Sequence, residues 1–582
     1  MAKDQIQEEF KTPKWRRKLP LLLVAPYFIG IFWHALHPVA SVLTGHMQPR
    51  RWYIDESSLD PSYFNKRGQF DALTVPTGWK RRSLCASVSR NARISCTQHP
   101  DGFEILKITP TQVAVRPVSE AIVLVIPWTA SNVSNVFLVA VMKLIQQLQQ
   151  ANWIAKTLFI VTSTMESKMN LTSTVNRFLD VYLGPADQGT LFRPPLPHDM
   201  NGFLLRNLLV VDVQPQAQKG IVSSSPPVKS EIRILPQGRR GVLPNMDLVF
   251  LAMYVYSRSI LTQTNKAVIT MHPYRKEATQ IQEYFQSIFT SWQVKQLQEW
   301  LPKMLELLAF EYSLLLEPYP PHAMALDRGI DALTIQALFA PGVDPNQFTA
   351  DCIQRLEYVL RALSNLHERL HHSTSLYLLA SPERFVKHEE YLVPNLLLLI
   401  PLVVRAVTLV LVDIPAFHWP TVQYTLFLTL CCVTAFHAIV SKMDKEMIVV
   451  SFLLVSVTIS LLLRLGLRRL SKQTAQFVAC FTALLLHIPI AFGHVSLAFP
   501  SALFWAPLIA FPSFNSSTHE EKDAKRAIHR ARSVILYALS TGLIGITLPC
   551  ILLVPRVFPY YTIYVRYAYM PLHALLAILY LS

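Results

Sequence analysis

The run Ala121-Ile-Val-Leu-Val-Ile-Pro127 is short, continuously apolar and closed by a proline, which is typical of a buried parallel strand. Helical periodicity follows over residues 136–149, and two further strand-like runs occupy residues 157–162 and 208–213. Strand, helix and strand at this spacing predict an α/β domain with a mainly parallel sheet. Further helices are predicted at residues 244–257, 279–316 and 347–373.

Composition shows that this domain is only part of the protein. Of the 582 residues, 51% are hydrophobic and only 16% are charged, whereas ordinary globular chains carry about 25% charged residues. Seven cysteines are too few for a disulfide framework. The composition therefore favours a polytopic membrane protein with one large water-exposed domain.

The apolar segments give the predicted layout. A signal anchor at residues 19–43 follows a cytosolic N-terminus (residues 1–18), and residues 44–390 form the large domain. A bundle of seven more spans fills residues 391–582, which makes about eight transmembrane helices in all. The seven are residues 391–412, 421–441, 446–464, 474–493, 495–513, 533–554 and 560–581.

The charges orient these spans. Basic clusters lie at residues 464–472 and 514–532, in the loops that face the cytosol if both termini are cytosolic. The large domain then faces the secretory lumen. There, the sequons at Asn132 and Asn170 are available for glycosylation, and a Cys85–Cys96 bridge is one possibility. The net charge of +16 lies mostly beside the membrane, so nucleic acid is not an expected partner.

Several motifs, in order along the chain, resemble the GPI-anchor attachment protein family, the GPI transamidase subunit with an aminopeptidase-like luminal domain. They are Ala121–Pro127, Trp153-Ile-Ala-Lys-Thr-Leu-Phe-Ile-Val-Thr162, Leu243-Pro-Asn-Met-Asp-Leu248, Arg328-Gly-Ile-Asp-Ala-Leu-Thr-Ile335, Leu363-Ser-Asn-Leu-His-Glu-Arg-Leu-His371, Ser375-Leu-Tyr-Leu-Leu379 and Arg384-Phe-Val386. The arrangement of anchor, luminal domain and C-terminal bundle fits the same family along essentially the whole chain. The resemblance implies a zinc-aminopeptidase-like luminal fold.

Zinc ligands of such an enzyme are missing from this sequence. Two zinc ions need a cluster of imidazole and carboxylate ligands at the strand ends. The first strand is followed by Pro127-Trp-Thr-Ala-Ser131 and the second by Thr162-Ser-Thr-Met-Glu166, whereas Asp212 stands alone at the end of the third. We therefore expect a peptidase fold without peptidase activity, with no metal and no cofactor.

A second metal motif, His367-Glu-Arg-Leu-His371, has the H-E-x-x-H spacing of zinc proteases. Arg369 occupies an inner position that such helices keep uncharged, and Glu390, an imaginable third ligand, lies at the membrane boundary. We interpret His367, Glu368 and His371 as a polar face of a helix near the membrane. A membrane zinc metalloprotease using these three residues remains the first alternative.

Candidate lipid contacts come from two sources. Arg405 and Arg566 lie well inside predicted spans, where ionisable residues mark function by default; for His437 and His487 we favour inter-helix hydrogen bonds. Arg51, Tyr53 and Asp55 follow the anchor and combine a phosphate-binding cation with an interfacial ring. The resemblance adds Asp344 and Gln347 as residues that face bound GPI.

By this resemblance, the protein is a non-catalytic subunit of the GPI transamidase in the endoplasmic reticulum. It would bind and present the GPI lipid, and help bind the C-terminal signal of the proprotein, while a caspase-like cysteine protease supplies the chemistry alongside other membrane subunits. A polytopic transporter is the second alternative, although the spans show no internal repeat.

Overall fold

In the computed structural model, the chain divides into two compact units. Met1–Ala40, Leu315–Pro318 and His388–Ser582 form the first, and Ser41–Leu314 and Tyr319–Lys387 form the second. The residues described are 14–37, 47–49, 82–88, 93–110, 120–128, 135–164, 169–183, 203–215, 230–239, 242, 245–258, 267–271, 295–315, 319–340, 343–365, 377–381, 384–412 and 472–510.

The second unit is an α/β domain. Its described strands are β1 (Met47–Pro49), β2 (Ile94–His99), β3 (Phe103–Ile108), β4 (Glu120–Val125), β5 (Thr157–Ser163), β6 (Leu204–Pro215), β7 (Ser230–Leu235), β8 (Ala267–Thr270), β9 (Asp331–Phe339), β10 (Tyr377–Ser381) and β11 (Arg384–Lys387). Its described helices are α2 (Leu84–Ser87), α3 (Asn135–Gln150), α4 (Leu171–Leu183), α5 (Met246–Ser257), α6 (Lys295–Leu315), α7 (Ala323–Asp327) and α8 (Pro345–Asn365). The preceding helix, α1 (Lys14–Leu36), belongs to the first unit.

One eight-stranded sheet dominates this domain, in the order β2-β3-β5-β4-β6-β9-β7-β8. The central pairs β5/β4, β4/β6 and β6/β9 are parallel, as is β7/β8 at one edge. The pairs β2/β3, β3/β5 and β9/β7 are antiparallel. The sheet is therefore mixed with a parallel centre, and the α/β prediction is confirmed.

The order of the central strands places helices on both faces of the sheet. Because β5 and β6 lie on opposite sides of β4, right-handed crossovers put α3 and α4 on opposite faces. On the α4 side, Phe178 and Leu179 pack with Val123 and Val210 of the sheet in one buried core. On the other, α8 contacts both α3 and α5.

The first unit contains four described helices: α1, α9 (His388–Val412), α10 (Lys472–Gly493) and α11 (Val495–Ala510). Contacts join α9 to each of the other three. Gly30 of α1 lies so close to α9 that an added Cβ would stand 3.0 Å from the carbonyl oxygen of Pro394, and small residues permit such close helix packing.

Within the described part of the chain, two helical stretches are long and apolar enough to cross a membrane, Glu390–Val410 and Gln476–Gly493. Leu23–Leu36 and Ser496–Ala510 are apolar but shorter. The predicted spans at 421–441, 446–464, 533–554 and 560–581 lie outside the described residues, so the total of eight stays a prediction. The helix predicted from residue 244 begins at Met246, with Asn245 as its N-cap.

Candidate functional site

The carboxyl ends of β4 and β5, where an aminopeptidase fold would hold metal ligands, are filled by other residues. Trp128 follows β4 and is 0% exposed. Its ring Nε1 donates to the carbonyl oxygen of Arg82 at 2.8 Å, and its backbone N–H donates to Oγ1 of Thr162 at 3.2 Å. A buried indole and a threonine hydroxyl therefore close this part of the sheet edge.

Asp212 continues the row of Leu208 and Val210 on the face that α4 covers. The strand runs three residues further, to Pro215, so the aspartate lies within β6. The sequence had predicted Asp212 at the end of this strand, and that placement is wrong. Asp212 is 5% exposed, and burial raises its pKa to about 6, although hydrogen bonds from Gln336 and Gln214 favour the ionised form.

The two amides flank Asp212 in different ways. Gln214 stands two residues further along β6 and donates to Oδ2 at 2.5 Å, whereas Gln336 is its register partner on β9. By geometric criteria, Oδ1 has no hydrogen-bond partner within the described part of the chain. Asp212 is thus a partly satisfied buried acid between two neutral amides.

These residues do not fit a two-zinc centre. Neither the indole of Trp128 nor the hydroxyl of Thr162 belongs to the usual ligand set of zinc, and one aspartate cannot by itself complete the ligand sets of two ions. Over the described ranges, no group of three or more His, Cys, Asp or Glu side chains is placed to hold a metal ion.

Asp344 and Gln347, which the family resemblance singled out, mark the start of α8. Both side chains are exposed. Oδ1 of Asp344 accepts from the backbone N–H of Asn346 at 3.0 Å, and the Asp344 carbonyl accepts from Phe348 N–H at 3.0 Å. Asp344 therefore caps the helix, and a role in GPI contact stays a prediction for both residues.

Two predicted covalent sites lie in the described α/β domain. Cys85 and Cys96 form a disulfide with a Cα–Cα distance of 5.4 Å, which ties α2 to the edge strand β2. Asn170 is exposed, and its Oδ1 accepts from the N–H of Ser173 at 2.8 Å at the start of α4. Its glycosylation remains a prediction.

Arg405 is engaged by a neighbouring helix. Its Nε and Nη2 donate to Oε1 of Gln476 at 3.1 and 2.8 Å, and Nε2 of Gln476 donates to the carbonyl of Ile509 at 3.0 Å. This chain of bonds links α9, α10 and α11. The inter-helix bond predicted for His487 is also present: its Nδ1 donates to the Ala483 carbonyl at 2.8 Å, and its Nε2 accepts from Oγ of Ser501 at 2.8 Å.

Sequence reasoning missed a second polar group in these helices, the histidine cluster, which consists of His34, His37, Tyr391, Asn395 and Ser496. The ring of His34 lies 5.7 Å from that of His37 and 5.5 Å from that of Tyr391. Asn395 is one turn beyond Tyr391, and Ser496 is one turn before Phe499, whose ring stacks on His34 at 3.9 Å. The sequence did contain a signal for this cluster, because its polar residues lie inside predicted spans.

The remaining sequence candidates lie outside the described residues. They are Arg51, Tyr53, Asp55, His437, Arg566, the sequon at Asn132 and the helix motif of His367, Glu368 and His371.

Comparison with known proteins places the chain in a family. No curated protein matches it significantly. Residues 116–577 match a family described as "Gaa1-like, GPI transamidase component", a region that includes β4, the rest of the parallel sheet centre and α9 to α11. Since the match covers most of the 582 residues, the chain belongs to the Gaa1-like family of GPI transamidase components.

Proposed function

We propose that this chain is a non-catalytic, multi-pass subunit of the GPI transamidase in the endoplasmic reticulum, which binds the GPI lipid and presents it for attachment to the C-terminus of proproteins. A caspase-like cysteine protease subunit would cleave the signal of the proprotein and hold the new carboxyl end. The present chain would orient the ethanolamine amine of GPI towards that acyl group, a contribution by positioning alone. The family match over residues 116–577 carries the proposal.

The sheet edge supports the non-catalytic part. In a co-catalytic peptidase, the strand ends supply imidazoles and carboxylates that bind zinc and activate water. Here Trp128 and Thr162 bond to one another across the ends of β4 and β5. A domain with this edge can retain the shape of a peptidase and serve as a binding surface.

The first unit supports the lipid-binding part. Glu390–Val410 and Gln476–Gly493 have the length and apolarity of membrane spans. Side chains such as Phe28, Phe32 and Phe481 are at least half exposed, which suits contact with acyl chains. We propose that the α/β domain faces the lumen with both termini cytosolic, and the Cys85–Cys96 disulfide suits that oxidising compartment.

Tagged purification of the full chain in mild detergent tests the proposal. We expect stoichiometric recovery of a caspase-like protease and other multi-span subunits, identified by mass spectrometry, together with GPI in the extracted lipids. The same tagged chain should restore GPI attachment of a reporter in cells that lack their own copy.

Two results would overturn the proposal. A chain that purifies alone with bound zinc and chelator-sensitive peptidase activity would favour the metalloprotease, and a His371→Ala variant would then abolish that activity. A chain that purifies alone and moves a solute across vesicles would favour the transporter.

A further inference from the structure

Residues 82–88, which include α2, form a short segment that we call the strap. The carbonyl oxygen of Arg82 accepts a hydrogen bond from Nε1 of Trp128 at 2.8 Å, and the backbone N–H of Cys85 donates to Oε2 of Glu104 at 3.1 Å. Trp128 follows β4, and Glu104 pairs in register with the penultimate residue of β5. The strap therefore lies beside the carboxyl ends of β4 and β5.

The disulfide joins the strap to a part of the sheet that is held independently of it. Cys96 belongs to β2, which pairs with β3 in an unbroken antiparallel register from Ile94 to His99. This pairing does not involve the strap. If the Cys85–Cys96 bond breaks, the β2/β3 hairpin stays paired, and the strap is the side that gains freedom.

The non-covalent anchors of the strap are weak in comparison. They include the two hydrogen bonds above and the side chains of Leu84 and Val88, which are 0% and 8% exposed. Ordering a segment of seven residues costs conformational entropy on the scale of what such contacts return. A cross-link restricts the released state, so it decides whether the strap stays in place.

The disulfide is accessible to a reductant. Cys85 and Cys96 are both partly exposed, whereas the free cysteine Cys352 is buried. Exposed disulfides are those that exchange readily with thiols. One thiolate of a dithiol attacks a cysteine sulfur, the S–S bond breaks, and a mixed disulfide forms. The second thiolate then closes the dithiol into its own disulfide, so that two electrons and two protons pass from the dithiol to the cysteine pair.

We propose that the Cys85–Cys96 disulfide is a redox-operated latch on the strap. While the bond is intact, the strap keeps Trp128 buried, at 0% exposure, and closes the carboxyl ends of β4 and β5. Reduction by a dithiol releases the strap and bares the indole at the edge where parallel α/β sheets bind ligands. The oxidation state of one bond thereby sets whether this edge is open, and the inference needs no assumption about the transamidase.

Hydrogen exchange followed by mass spectrometry tests the latch in the purified full-length chain. The amides of Cys85, Ala86 and Ser87 are hydrogen-bonded while the strap is closed. Dithiothreitol should speed their exchange in the wild type by about tenfold or more. The double variant Cys85→Ser/Cys96→Ser should show the fast exchange without reductant and should not respond to it. Peptides from β6 and β9 should exchange at the same rate in every sample.

Hydroxyl-radical footprinting without reductant measures Trp128 itself. Oxidation of its indole should be at least about tenfold faster in the double serine variant than in the wild type, because the strap no longer covers it. Cys352→Ser is the matched control. It removes a buried thiol that is in no disulfide, so its strap and its Trp128 should behave as in the wild type, including the response to dithiothreitol.

Two results would overturn the proposal. Unchanged exchange of the strap after confirmed reduction would show that non-covalent contacts suffice to hold it. Acceleration that spreads to β6 and β9 would show that the disulfide stabilises the whole domain and not a local latch. If the double serine variant does not fold, the wild type, folded first and then reduced, decides between these results and the expected local opening.

Discussion

Tyr27 of α1 donates its hydroxyl to the backbone carbonyl of Leu503 in α11 at 2.8 Å. That carbonyl lacks its usual partner because position 507, four residues on, is a proline without an N–H. A side chain from one helix thus satisfies a backbone group that proline freed in another, which an apolar environment requires.

Tyr27→Phe should lower the free energy of unfolding by about 1–2 kcal/mol, since the freed carbonyl becomes unsatisfied. Thermal unfolding of the purified full-length chain in detergent measures this. Pro507→Ala restores an N–H to the helix, so the loss caused by Tyr27→Phe should shrink in that background. Equal losses in both backgrounds would contradict the account.

The disulfide between Cys85 and Cys96 closes a loop with a sequence separation of 11. Replacing both cysteines with serine should cost about 3 kcal/mol of stability, because the unfolded chain gains the entropy of that loop. Reducing agent should destabilise the wild-type chain and leave the double variant unchanged. Thermal unfolding with and without reductant decides this, and a reductant effect on the double variant would indicate another bridge.

The α/β architecture could be predicted from residues 121–127 and 157–162 because continuous apolar runs define buried central strands. The strand β3, which lies between the edge strand β2 and β5, was missed because Glu104 and Lys107 break its apolar pattern. Glu104 is nevertheless buried, since it accepts from Cys85 N–H at 3.1 Å and from Gln98 Nε2 at 2.9 Å. Tertiary partners that the sequence does not show thus offset the cost of burying a charge.

The candidate sites likewise include features that residue types alone predict and features that depend on tertiary contacts. The absence of zinc ligands after the first two strands could be predicted from the sequence, since it depends on residue types alone. The place of Asn395 in the histidine cluster could not, because it depends on which helices surround position 395. Likewise, the sequence identified Arg405 as a cation inside a predicted span but not Gln476 as its partner, 71 residues away.

Asp212 predicts a specific pH dependence. Its pKa is raised from 3.8 to about 6 in the folded chain, so the folded state holds a proton that the unfolded chain releases. Stability should therefore fall as the pH rises from about 4 to about 6, by up to about 3 kcal/mol. Asp212→Asn should remove this slope and be the more stable form at pH 8.

Unfolding of wild type and Asp212→Asn between pH 4 and pH 8 checks this, with the difference between the two curves as the readout. Gln336→Met is the companion variant. Its amide favours the ionised carboxylate, so its removal should move the transition of the wild-type acid to higher pH. A difference curve that is flat with pH would show that Asp212 does not titrate in this range.

Arg405 distinguishes a structural link from a lipid contact. Because Arg405 and Gln476 share one chain of hydrogen bonds to α11, Arg405→Met and Gln476→Met should each lower stability by about 1–3 kcal/mol, and the double variant should cost little more than either. Thermal unfolding of the three variants measures the coupling. At matched stability, a loss of GPI attachment in Arg405→Met but not in Gln476→Met would show that the guanidinium has a further role in attachment, as expected of the lipid contact predicted from the sequence. Additive losses would instead mean that the two side chains stabilise the helices independently.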